Sequence, residues 1–126
     1  MDKIDFSAPK HLTAIAKIQD LARWPHHCVV TKRATEDIVK LRLTKAAVLE
    51  AVGAHLAARK PTYVLMQESG IEAYVLLPCA VNVHHLYVKV QVPPCDQEKD
   101  EVLVVISVHI PEFGPPKEKV NVKRKK

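Results

Sequence analysis

The chain has 126 residues, 48% hydrophobic and 26% charged, which is the size and balance of one compact domain rather than two. No apolar run approaches the roughly 20 residues of a membrane helix, and the opening MDKIDFSAPK lacks the order of a secretory leader, so a cytoplasmic protein with no membrane partner is expected. The net charge of +5 is confined to the end: PPKEKVNVKRKK, from Pro115, sets Lys117, Lys119, Lys123, Arg124, Lys125 and Lys126 against Glu118 alone, leaving the rest formally neutral. Residues 1–114 are therefore read as a single domain and 115–126 as a basic, flexible tail.

Helical spacing comes first. HLTAIAKIQDLARW places Leu12, Ile15, Ile18, Leu21 and Ala22 three and four apart, an amphipathic stripe that ends at Pro25. HHCVVT is a short extended run, and Thr31 is a candidate N-cap for a second helix in which Ala34, Ile38 and Leu41 share a face. Thr44 is a candidate N-cap for the third helix. Leu43 and Val48 take the two staple positions there, and Val48, Leu49, Val52 and Leu56 form the buried stripe.

After Pro61 the period changes. TYVLMQ, EAYVLLPC, HHLYVKVQV and EVLVVISVHI are rich in Val, Leu, Ile and Tyr and are separated by turn-forming segments. Helices followed by strands indicate an α+β fold, with the N-terminal helices packed on one face of a mainly antiparallel four- to five-stranded sheet. VLVVIS shows little alternation and reads as a central strand buried on both faces. Cys28, Cys79 and Cys95 form no CxxC, so neither a disulfide framework nor a zinc ribbon is indicated, and no metal or cofactor is expected. The pairs His26-His27 and His84-His85 in extended chain point to opposite faces and do not chelate one ion.

In HHLYVKVQV, Leu86, Val88, Val90 and Val92 alternate with Tyr87, Lys89 and Gln91, so Tyr87 and Lys89 form either the wet face of a half-buried strand or the wall of a phosphate-handling site. Two-residue steps place His109 on one face with Ser107 and Val105. Metal-free RNA cleavage needs a base for the 2′-hydroxyl, cations or donors on the phosphorane, and an acid for the leaving oxygen. His109, Lys89 and Tyr87 are of the right types if the two strands pair, with Glu72 a further candidate base. Arg33 is a candidate phosphate contact near a helix start.

The order of VVTKRA (29–34), LRLT (41–44), LYVK (86–89) and VVIS (104–107) resembles the motility quorum-sensing regulator (MqsR) toxins, within the RelE-like group of small toxins. The resemblance spans roughly residues 28 to 112. It implies a RelE-like domain, metal-independent endoribonuclease activity on mRNA, and inhibition by a cognate antitoxin, MqsA-like or another helix-turn-helix protein. Tyr87 and Lys89 match the family's Tyr-x-Lys strand and Ser107 its closing-strand serine. Lys32, Arg33 and Ser107 are the candidate RNA- or phosphate-binding residues. Val64 stands where the family has a lysine, Glu72 where it has a glutamine, and His109 where it has the closing lysine. A catalytically degenerate homologue serving as a protein- or RNA-binding regulatory module is the alternative.

Overall fold

The computed structural model describes residues 6–97 and 100–111; the basic tail expected at 115–126 lies outside them. Helix α1 (Pro9–Leu21), a 3-10 turn (Pro25–His27) and β1 (Cys28–Val30) are followed by α2 (Lys32–Lys40) and α3 (Lys45–Ala58). Strands β2 (Tyr63–Met66), β3 (Glu72–Val81), β4 (His84–Gln91) and β5 (Leu103–His109) complete the fold. The five-stranded sheet has the order β1-β5-β4-β3-β2, with β1 parallel to β5 and every other neighbour antiparallel. The fold is α+β as expected, and the parallel β1 edge makes the sheet mixed.

Local chemistry accounts for the helix starts. Pro9 opens α1, where its missing N–H is no loss. The Thr31 hydroxyl accepts from the Ala34 N–H (3.2 Å), and the Thr44 hydroxyl from the Ala47 N–H (3.1 Å), each satisfying one orphan donor of a first turn. Leu43 and Val48, the staple pair, are both buried. Gly70, at φ +84°, supplies the left-handed residue of the β2–β3 turn, and Asn82, at φ 55°, that of the β3–β4 hairpin.

One hydrophobic cluster joins the helices to a single face of the sheet. Ile18, Ile38, Leu49 and Val52 pack in it with Tyr74, Leu76, Leu86, Val88, Val90, Leu103, Val105 and Val108. A fully buried Leu or Val contributes on the order of 1.5–3 kcal/mol. A buried polar pair lies in this layer: His11 Nδ1 is 2.8 Å from the Tyr74 hydroxyl. The adjacent histidines differ from expectation at one site. His26 and His27 lie in the 3-10 turn, not in extended chain, and their ring centroids are 4.3 Å apart.

Candidate functional site

Two bulges flank β4. On one side the register steps from Leu76–Val88 to Cys79–Leu86, so Leu77 and Pro78 together oppose Tyr87. On the other it steps from Lys89–Ser107 to Val90–Val105, leaving Ile106 unpaired by β4. A bulge frees backbone groups from the ladder and re-aims side chains. Here both sets of freed groups meet a threonine. Thr62 Oγ1 accepts from Leu77 N–H (2.9 Å) and donates to the Leu77 carbonyl (2.8 Å). Thr31 Oγ1 donates to the Ile106 carbonyl (3.0 Å), so the α2 cap also anchors the β5 bulge.

The β5 bulge corrects two expectations. VLVVIS lacks visible alternation because the bulge shifts its phase: Leu103, Val105 and Val108 are fully buried, while Val104, Ile106 and Ser107 are half-buried. It is an interior strand buried on one face, and β4 holds the centre of the sheet. The same shift separates Val105 from His109 and Ser107. Val105 pairs with Val90 in the core, whereas Ser107 pairs with Lys89 and His109 with Tyr87 on the opposite face.

That second face carries the candidate site. Tyr87 and His109 stack, with centroids 4.6 Å apart and planes 14° from parallel. Lys89 and Ser107 are the next cross-strand pair, and Val75 and Tyr63 continue the row across β3 and β2. His109 is exposed, and its Nδ1 lies 3.1 Å from the Ile110 carbonyl oxygen. A carbonyl only accepts, so Nδ1 carries the hydrogen and Nε2 keeps a lone pair. Burial, and then the neighbouring Tyr63 phenol and a hydrogen bond with it, push Tyr87 up to about 12. Tyr87 therefore remains a proton donor at physiological pH. Gln91, farther along the same face, has a buried Oε1 without a partner.

Other candidates lie elsewhere. Glu72 pairs with Met66 two residues before Tyr74, on the helix side of β3, and its carboxylate meets Lys10 of α1 at 3.4 Å. It is not beside His109, because the pleat turns alternate β3 residues away from the second face. Val64 pairs with Tyr74 and packs against the core. Lys32 and Arg33 open α2, exposed, next to the Thr31 cap on the Ile106 bulge. Tyr63 is a member of the second face that residue type alone did not single out; its place in the alternation of TYVLMQ was the available signal. No family model matches the chain, and no curated protein or solved structure does either. No described helix is long and apolar enough to cross a membrane.

Proposed function

We propose that the protein is a metal-independent endoribonuclease acting on mRNA, a toxin of the motility quorum-sensing regulator kind held in check by a helix-turn-helix antitoxin in the cytoplasm. The observation that carries the reading is the His109–Tyr87 stack beside the Lys89–Ser107 pair. His109 Nε2 takes the proton of a ribose 2′-hydroxyl, and the freed oxygen attacks the adjacent phosphorus. The Lys89 ammonium and Ser107 hydroxyl hold the non-bridging oxygens as charge develops. The Tyr87 phenol returns a proton to the departing 5′ oxygen. The products are a 2′,3′-cyclic phosphate and a 5′-hydroxyl.

The test is incubation of the full chain with RNA in the presence of a chelator. Cyclic-phosphate ends, and growth arrest on expression relieved by the antitoxin gene, support the reading; intact RNA and harmless expression sink it. One observation favours a binding module instead. The two positions that depart from the family, Val64 and Glu72, both turn toward the helices. Under that reading Lys89→Ala and His109→Ala leave every phenotype unchanged.

A further inference from the structure

A cavity of about 300 Å³ lies between the last turns of α3 and the β3–β4 hairpin, at the small end of the roughly 300–1,000 Å³ of small-molecule sites. Small side chains, Ala54, Ala58 and Ala80 among them, leave it open, and His55, Arg59 and His85 give it polarity. His55 is 8% exposed, and its Nε2 is buried without a hydrogen-bond partner. Burial first, and the Arg59 guanidinium second, lower the imidazole below its ordinary value, and a backbone hydrogen bond at Lys60 engages the ring. That bond favours the protonated ring, so the imidazole donates it to a carbonyl. With Nε2 unpartnered, Nδ1 is the donor, and Nε2 is a neutral acceptor awaiting a hydrogen.

Arg59 and His85, both exposed, supply the opposite chemistry: N–H donors, with a permanent positive charge on Arg59. An acceptor matched to a hydroxyl, beside donors matched to an anion, complements a ribose phosphate. The cavity also adjoins the face described above. His85 pairs with Ala80 and lies two residues before Tyr87 on the same side of β4, roughly 6–7 Å along the strand. We propose that this cavity is a ribose-phosphate site, with Arg59 and His85 on the phosphate and His55 Nε2 accepting from the ribose 2′-hydroxyl. Only the source of the ligand, a nucleotide of the RNA strand flanking the cleaved bond, rests on the ribonuclease reading.

The test is an NMR titration of the ¹⁵N-labelled full chain with uridine 5′-monophosphate. Saturable shifts centred on the amides of Ala54, His55, Arg59 and His85 are expected. Affinity should fall about 10-fold with 2′-deoxyuridine 5′-monophosphate, and by a similar factor in Arg59→Ala, the loss of one good hydrogen bond or charge contact. Ala54→Leu, at an exposed helix position, should abolish the shifts while leaving the rest of the spectrum intact. Absence of saturable shifts at these amides, or inorganic phosphate binding as tightly as the nucleotide, overturns the site. An RNA oligonucleotide with a deoxy residue at the cleaved position should displace the nucleotide. If it does not, the site stands with free nucleotide as its ligand. Wild-type protein that binds the nucleotide yet leaves RNA intact sinks the ribonuclease reading and keeps the site; cleavage without cavity shifts does the reverse.

Discussion

On the helix side of β4, Leu86, Val88 and Val90 have no exposure at all, whereas Tyr87, Lys89 and Gln91 on the other side are half-buried beside Ser107 and His109. The same eight-residue strand thus serves a dry layer and a polar one. The difference teaches that stability and chemistry are assigned to opposite sides of one backbone, so each should respond to mutation without the other. The bulges at Leu77-Pro78 and Ile106 are where the two sides are tied together, because a bulge sets the phase of every later residue in its strand.

The largest effect should come from the polar side. His109→Ala and Lys89→Ala should each lower the rate of RNA cleavage by ~10²–10⁴-fold, the usual range for a general base or a transition-state contact. Chemical denaturation should move by less than about 1 kcal/mol, since neither side chain is in the core. Leu86→Ala inverts that pattern, costing about 2–5 kcal/mol in the same denaturation measurement. Its cleavage rate, measured where the variant is folded, should hold.

A comparison of Tyr74 with Tyr87 sharpens the contrast through pH. Both phenols are held at about 12, Tyr74 by burial and then the nearby Glu72 charge, Tyr87 by burial and Tyr63. The unfolded chain ionises tyrosine near 10. The stability tied to these groups is therefore complete below about pH 10 and is lost as pH rises through about 12. Buried Cys79, pushed up to about 11, adds a loss of the same sign that begins near 8.5. Either Tyr→Phe variant should flatten this alkaline limb in pH-dependent denaturation. Only Tyr74→Phe should also cost about 1–3 kcal/mol at neutral pH, because it strands buried His11.

Thr31→Val removes both the α2 cap and the hold on the Ile106 carbonyl, and should cost about 1–2 kcal/mol. Unlike an ordinary cap variant, it should also slow cleavage, since the bulge places Ser107 and His109; unchanged cleavage would sever that link. The smallest effect is expected at Glu72. Glu72→Gln breaks only a partly exposed ion pair to Lys10, so stability should shift by less than about 0.5 kcal/mol. Cleavage should not change at all, and a large loss there would return Glu72 to the site.

Much of this was legible in the chain itself. Three helical stripes, two threonine caps and the Leu43/Val48 staple depend on residues at most a few positions apart, and the alternation of HHLYVKVQV put Tyr87 and Lys89 on one face. These rules are local, and the fold obeys them. Three things were decided only by tertiary pairing. The bulge at Ile106 moved Val105 to the core and left His109 and Ser107 beside Tyr87 and Lys89, because register depends on a partner strand distant in sequence. The pleat of β3 sent Glu72 to Lys10. Finally, His55, one residue within a continuous apolar helix, became a cavity lining only when the β3–β4 hairpin closed over the end of α3.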